Sequence, residues 1–288
     1  KSPVKLKPLL IGRLLKTIQI KGWHLFVYNT SFYLIVISTK TLISTYYSVE
    51  EFGYFTFAFS LANVVLLLLQ SFSFLIYPKL LNRLASASNE KIIELLSTVR
   101  DAYITSSHLL IHLAILGFPL FIMFFPKYQE SAQAFKLIAL TVVLYTNSFG
   151  YSGLLIAKGY EKILGRVSLL ALSVNISVGF VLIKYFDVPF QSVILATMIT
   201  YFIYVILLGN IGRNLLKLNT KTSFILNDIC SLRIFIPYIL SLCLILLDAP
   251  EFYFIVPLAI FLLINRKKLA SIRNIILKII NNSTYINV

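Results

Sequence analysis

The sequence predicts an all-α, polytopic transmembrane helical bundle. Of its 288 residues, 58% are hydrophobic and only 13% are charged, whereas about a quarter of the residues in a soluble domain are charged. Long apolar stretches recur almost to the C-terminus, so a cleaved signal peptide does not account for them. Membrane strands would give shorter, alternating segments, so helices are the expected spanning elements.

Eight stretches approach the roughly 20 apolar residues that a membrane-spanning helix needs. They are 23–47, 53–77, 103–125, 132–156, 163–186, 190–211, 232–248 and 252–265. The last two are short, and a single re-entrant pair is the alternative for them.

The basic residues predict how these spans are oriented. With the N-terminus inside, 22 of the 26 Lys and Arg fall on the cytoplasmic side, in the segments 1–22, 78–102, 157–166, 213–233 and 266–278. This distribution follows the positive-inside rule. The net charge of +15 is therefore explained by topology and by contact with anionic membrane lipids. No nucleic-acid partner is expected.

Two segments outside the spans are amphipathic at helical spacing. Residues 79–100 place several aliphatic side chains on one face, and residues 266–282 alternate basic and aliphatic residues. Both patterns predict interfacial helices on the cytoplasmic side. A solvated loop and a frayed tail are the respective alternatives.

Polar side chains form stripes along the first two spans. Asn29, Tyr33 and Lys40 share one face of the first span, and Asn63 and Gln70 share one face of the second. A single amide would serve as a link between helices. Two stripes on consecutive spans favour a shared polar cleft, so these five residues are candidates for substrate binding.

Lys40 is the most informative residue of these stripes. It lies about 10 Å inside its span at 1.5 Å per residue, where an ammonium costs about 2.5–3.5 kcal/mol on insertion scales. A side chain that snorkels to the interface is the alternative. Snorkelling is also the expectation for Lys136 and Lys184, which lie near the ends of their spans.

His108 and His112 are spaced i, i+4 on the third span. A third metal ligand is not evident, and the Glu of the HExxH zinc motif is missing. The pair therefore either lines the cleft, as a polar or protonatable surface, or forms hydrogen bonds between helices. Cys230 and Cys243 form no metal-ligand spacing and no CxxC pair, so two inert thiols are expected.

Catalytic signatures are missing from the sequence. It shows no Ser/His/Asp set, no paired carboxylates and no glycine-rich phosphate loop. No carboxylate lies deep in a predicted span, where an ion-coupled carrier normally has one. The sequence therefore predicts neither an enzyme nor a cofactor.

The stretch "SVEEFGYFTFAFSLANVVLLLLQSFSFLIYPKLLNRL" (48–84) resembles bacterial polysaccharide-biosynthesis flippases of the Wzx (O-antigen) type, in the MATE-like superfamily. Members often show a short acidic loop, "GYYSFA"-like residues and a span that ends in a Pro-Lys/Arg-Leu entry to a cytoplasmic helix. The matching residues here are Glu50, Gly53, Tyr54, Phe57, Ala58, Pro78, Lys79 and Leu80. The later stretch "GYSGLLIAKGYEK" (150–162) resembles the exit of the fourth span of the same lobe.

The resemblance implies the second lobe of a two-lobe flippase, with an N-terminal lobe of the same protein as its partner. The implied domains are a basic inter-lobe connector at 1–22, a six-span lobe at 23–215, a loop with two additional spans at 216–265 and a basic amphipathic tail at 266–288. Two such lobes enclose a central cavity. Relatives often have an acidic residue near the position of Lys40, so the coupling mechanism stays open.

The function implied by the resemblance is translocation of undecaprenyl-pyrophosphate-linked oligosaccharide repeat units across the bacterial inner membrane. Such units serve O-antigen or capsule assembly. The alternatives are a multidrug exporter of the same superfamily, a membrane-embedded polysaccharide polymerase or acyltransferase, and a scaffold subunit that transports nothing.

Overall fold

The computed structural model of the chain describes residues 8–218, 221 and 228–281. Within these ranges every regular element is helical, which confirms the predicted all-α class. Three 3-10 turns, Pro126–Ser131, Phe190–Val193 and Glu251–Phe254, precede α4, α7 and α9. The α-helices are α1 (Pro8–Tyr46), α2 (Val49–Ser86), α3 (Asn89–Phe124), α4 (Ala132–Thr146), α5 (Tyr151–Ala157), α6 (Glu161–Phe186), α7 (Ile194–Leu215), α8 (Leu232–Leu246) and α9 (Ile255–Asn281).

Several helices meet the requirements of a membrane span. In the part of the chain that the structure describes, α3, α6 and the segment Phe190–Leu215 are long and apolar enough to cross a membrane. The segments Pro126–Thr146 and Tyr151–Ala157, bent by 40° relative to each other, make a fourth if they count as one span. The fold is therefore that of a helical membrane protein, and the number of eight spans stays a prediction.

The two expected interfacial helices are not separate elements. Residues 79–100 are divided by an extended break at Ala87 and Ser88: the first part continues α2, and the second part begins α3. Residues 266–281 continue the last predicted span within α9 without a break. Amphipathic periodicity correctly marked these residues as helical, but it does not show where a helix is interrupted.

The centre of the bundle is formed by α4 and α7. Nearly all side chains of α4 are buried, as expected for a helix that is apolar on every face, and α4 contacts α2, α3, α7 and α8. On one side, α1 packs along α6, and α6 packs along α7. On the other side, α8 and α9 form a pair that packs on α3 and α4. This arrangement leaves α1 and α2 adjacent at an edge of the bundle.

Small residues on α6 allow α1 to approach closely. A Cβ at Gly165 would lie 3.2 Å from the carbonyl oxygen of His24, and a Cβ at Gly179 would lie 2.7 Å from Cδ1 of Leu42. Small residues are typical of helix contacts in membranes, where close packing replaces the hydrophobic effect as the driving force. The two glycines therefore fix the position of α1 against the bundle.

A capping box at Ser48 sets the tight turn from α1 to α2. The Ser48 Oγ accepts a hydrogen bond from the Glu51 backbone N–H at 3.2 Å, and the Glu51 carboxylate accepts one from the Ser48 N–H at 2.9 Å. Next to it, the Tyr47 hydroxyl donates to the carbonyl oxygen of Val188 at 2.5 Å. These bonds satisfy the start of α2 and tie the turn to the connection between α6 and α7.

Both cysteines are free. Burial raises the pKa of the Cys230 thiol to about 11, which keeps it in the unreactive neutral form at neutral pH. Cys243 lies exposed on α8. The low thiolate content of Cys230 agrees with the expectation of an inert thiol.

Single cysteines at four exposed positions, three in the first turn of a helix and one in a 3-10 turn, test the predicted orientation, in a chain whose two native cysteines are replaced by serine. Substitutions at Glu50 and Glu130 should react with a membrane-impermeant maleimide added outside intact cells, because these turns are expected in the periplasm. Substitutions at Lys91 and Lys162 should react only after permeabilisation. Labelling of either lysine position from outside would overturn the inside location of the N-terminus. A membrane-permeant maleimide, which should label all four, is the control for accessibility.

Candidate functional site

The polar stripe predicted on α1 lies on an open edge of the bundle. Asn29 is exposed, and the Tyr33 side chain is 70% exposed. Lys40 is half-buried, and its Nζ lies 4.5 Å from the centroid of the Phe59 ring on α2, within the range of a cation–π contact. We call this edge, with Asn29, Tyr33 and Lys40 on α1 and with Phe59 and Asn63 on α2, the α1–α2 seam; the two helices meet within it at Lys40 and Phe59.

The α2 side of the seam is partly polar. Asn63 is half-buried and lies one helical turn from Phe59, on the same face of α2. Ser60 is exposed, and its hydroxyl donates to the carbonyl oxygen of Thr56 at 2.8 Å. Gln70 belongs to α2, but its side chain lies outside the described part of the structure. The structure therefore brings Lys40 and Asn63 to one seam and does not test the placement of the Gln70 amide.

Lys40 pairs with no carboxylate among the described residues. Six ion pairs join charged residues in the described ranges, and none of them includes Lys40. The ring of Phe59 offers the ammonium a negative π-face but no countercharge. The seam therefore has a net positive charge at the depth predicted for Lys40.

Asn175, by contrast, holds helices together. This residue of α6 is fully buried, and its amide nitrogen lies within hydrogen-bond distance of the Ile35 carbonyl (3.2 Å) and of the Ser38 and Thr39 hydroxyls (3.0 and 3.1 Å) of α1. Its Oδ1 accepts a hydrogen bond from Thr197 on α7 at 2.9 Å. The amide thus joins three helices and is not open to a ligand.

The two histidines of α3 are also enclosed. His108 and His112 are 1% and 3% exposed. The Nε2 of His108 lies 3.2 Å from Oδ1 of Asn147, and the Nδ1 of His112 lies 3.3 Å from the Ser241 hydroxyl of α8. Among the described residues, no group of three potential metal ligands occurs. The structure favours interhelical hydrogen bonding for both histidines over a place in an open lining.

Lys136 does not snorkel, contrary to the expectation from sequence. It is 6% exposed, and its Nζ lies 2.5 Å from a carboxylate oxygen of Glu251 and 4.6 Å from the centroid of the Phe254 ring. The reason is that the connection between α8 and α9 folds over the start of α4 and brings an acid to the ammonium. Lys184, in the last turn of α6, is exposed, as expected for a snorkelling side chain.

The fourth predicted span is broken between α4 and α5, and Arg100 fills the break. Residues 147–150 form a turn in which Gly150 has φ +87°. Arg100 of α3 is 4% exposed; its Nη2 donates to the carbonyl oxygen of Asn147 at 3.0 Å, and its guanidinium lies 4.1 Å from the Tyr151 ring centroid. Backbone carbonyls freed by a broken span must find donors inside the protein. Arg100 supplies such a donor.

Asp228 completes this cluster from the segment before α8. Its Oδ2 lies 3.2 Å from Nη1 of Arg100 and 3.6 Å from Nη1 of Arg213, and it also accepts a hydrogen bond from the Tyr151 hydroxyl. The sequence interpretation did not identify this cluster. The run "TNSFGYSG" (146–153), polar and with two glycines inside a predicted span, was the available signal of a break.

No family model, no curated protein and no solved structure matches the chain. The chain's own structure gives the class: every regular element in the described ranges is helical, and several of these helices are candidate membrane spans.

Alanine at Gly150 and at Gly159 separates backbone strain from the packing of Arg100. Both glycines have positive φ, +87° and +80°. A Cβ at Gly150 would lie 2.8 Å from Cγ of Arg100 and 2.9 Å from Cδ2 of Leu96, whereas a Cβ at Gly159 would meet no atom within 4 Å among the residues described.

Gly159→Ala should therefore lower stability by about 1–2 kcal/mol of backbone strain. Gly150→Ala should add an overpacking cost of about 1–3 kcal/mol. Thermal unfolding in detergent, followed by tryptophan fluorescence or by aggregation, measures both. Equal melting temperatures for the two variants would contradict the close fit of Arg100 in the break.

Proposed function

We propose that the chain is part of a flippase that moves a lipid-linked oligosaccharide, bearing a pyrophosphate, across the bacterial inner membrane along the α1–α2 seam. The supporting observation is Lys40. It is a cation at predicted membrane depth, on an open edge, and no described carboxylate pairs with it. Asn175, Lys136 and the two histidines of α3 are instead held by contacts within the bundle.

The chemistry of the seam suits an amphipathic anion. Pyrophosphate and sugar hydroxyls are strongly disfavoured in hydrocarbon, so they need a polar surface along their path. Lys40 offers a point charge, which attracts a phosphate without the bidentate grip of an arginine and so permits release. Asn29 and Asn63 supply amide donors and acceptors for hydroxyl groups, and Tyr33 presents a large exposed aromatic ring.

The openness of the seam supports a partner lobe. In the resemblance to two-lobe flippases, an N-terminal lobe would cover this edge and enclose a central cavity. Rocking of the two lobes about the cavity would then expose it to each side of the membrane in turn. His108 and His112 are omitted from the proposed substrate surface because both are buried.

The positive seam argues against a multidrug exporter. An exporter of cationic drugs needs an acid at the binding surface, and an ammonium there repels its substrate. The polymerase and acyltransferase alternatives need a reactive histidine with polar partners in an accessible site. His108 and His112 are enclosed, so neither fits that requirement.

Substitution of Lys40 tests the proposal in cells that depend on the protein for a surface polysaccharide. Lys40→Ala should abolish surface display at unchanged protein level, because the substrate loses its only proposed counterion. Lys40→Arg should retain a substantial part of the display, since the charge is kept. Lys40→Gln should behave like Lys40→Ala if the charge matters. Quantitative staining of surface polysaccharide and immunoblotting of membranes provide the two readouts.

Lys184→Ala is the matched control, because it removes an exposed lysine from the last turn of α6 and should leave display unchanged. Full display by Lys40→Leu would overturn the proposal and would identify Lys40 as a snorkelling side chain. Loss of the Lys40→Ala protein from the membrane would instead assign Lys40 a structural role.

A further inference from the structure

A second polar site lies at the expected cytoplasmic end of α3, α8 and α9, on other helices than the α1–α2 seam. A cavity of about 500 Å³ opens there, within the size range of small-molecule sites. Its charged lining consists of three cations and two acids: Arg100, Arg233, Lys268, Asp101 and Asp228.

The charges around this cavity do not balance. Asp101 forms ion pairs with both Arg233 and Lys268, the latter at 2.6 Å. Asp228 is likewise shared by Arg100 of α3 and Arg213 of α7. The three cations of the lining thus share two carboxylates, which leaves an excess of one positive charge in the lining. An anionic group, such as a phosphate, would balance it.

Arg100 provides a buried donor in this lining. Its side chain is more than nine-tenths buried, and its guanidinium nitrogens contact Asp228 and the carbonyl oxygen of Asn147. The buried guanidinium adds positive charge to the wall of the cavity, where charges interact more strongly than in water. At the outer rim, Lys268 is 56% exposed, so the cavity has a cation within reach of an incoming ligand.

We propose that this cavity binds a phosphate group, either in the headgroup of an anionic phospholipid of the inner leaflet or as a soluble phosphate. Guanidinium groups match the geometry of phosphate oxygens, and each such contact is charge-assisted. Basic pockets between membrane helices on the cytoplasmic side are suited to anionic headgroups. The site stands independently of the proposed transport function, because none of its residues belongs to the α1–α2 seam.

Ligand binding to the purified full chain tests this site in two arms. In the lipid arm, native mass spectrometry counts phosphatidylglycerol retained after release from nanodiscs, with phosphatidylcholine nanodiscs for comparison. In the soluble arm, inorganic phosphate is titrated in neutral detergent, and the rise in melting temperature is measured against sodium chloride of equal ionic strength. A specific ligand of the folded state raises this temperature by mass action.

Lys268→Gln is the main variant, because a substitution at an exposed rim position should leave the fold unchanged, and Lys267→Gln is the matched control. Loss of one charged contact should weaken binding roughly tenfold in Lys268→Gln. Lys267→Gln changes the net charge by the same amount, but Lys267 does not line the cavity, so this variant should bind like the wild type. Arg233→Gln should weaken binding at least as much if its folded yield is normal.

The outcomes separate the two sources of phosphate. If the wild type and Lys267→Gln retain phosphatidylglycerol and Lys268→Gln does not, the site binds a lipid headgroup. If phosphate raises the melting temperature of the wild type and of Lys267→Gln but not that of Lys268→Gln, the site binds a soluble phosphate. Absence of binding in both arms overturns the proposal, and so does equal binding by the wild type, Lys267→Gln and Lys268→Gln. Equal weakening in both lysine variants also overturns it, since that would reflect net charge alone.

Discussion

The structure depends on one constraint: within hydrocarbon, each polar group must find its partner inside the protein. The Asn175 amide meets this constraint by joining α1, α6 and α7. Lys136 meets it through Glu251, and His108 meets it through Asn147. These contacts fix which helices are neighbours, and they occupy polar groups that the sequence alone leaves as candidates for ligand binding. The proposed ligand sites lie where charge is left over after this internal pairing.

At two places in the described part of the bundle, positive charge is left over after internal pairing. At the α1–α2 seam, Lys40 has an aromatic neighbour but no ion-pair partner among the described residues. At the expected cytoplasmic end of α3, cations outnumber the acids that hold them. The broken span between α4 and α5 lies next to this second place, and Arg100 serves both, because it satisfies the Asn147 carbonyl while lining the cavity. An anion is the ligand class that fits each place.

The fold class could be predicted from sequence because apolar length sets the positions of the spans, and a helix occurs at each of them. Helix ends were less predictable: residues 79–100 have one amphipathic pattern, yet a break at Ser88 divides them. Side-chain partners were not predictable where they come from distant segments. Asp228 meets Arg100 across 128 positions of the sequence, and such a contact follows from the packing of α3 against neighbouring elements, not from any local pattern. The stripe of Asn29, Tyr33 and Lys40 was predictable because helical spacing alone puts it on one face.

The central claim is that Lys40 faces water, not lipid, and the accessibility of position 40 to collision reagents tests it most directly. A spin label would be placed at Lys40→Cys in a chain that otherwise lacks cysteine, and at native Cys243, which is exposed on the apolar helix α8, in the Cys230→Ser chain. A water-soluble nickel chelate should relax the label at position 40 strongly and the label at Cys243 weakly, with the reverse order for oxygen. If position 40 matches Cys243, with high oxygen and low nickel accessibility, Lys40 lies in lipid and the account of the seam is contradicted.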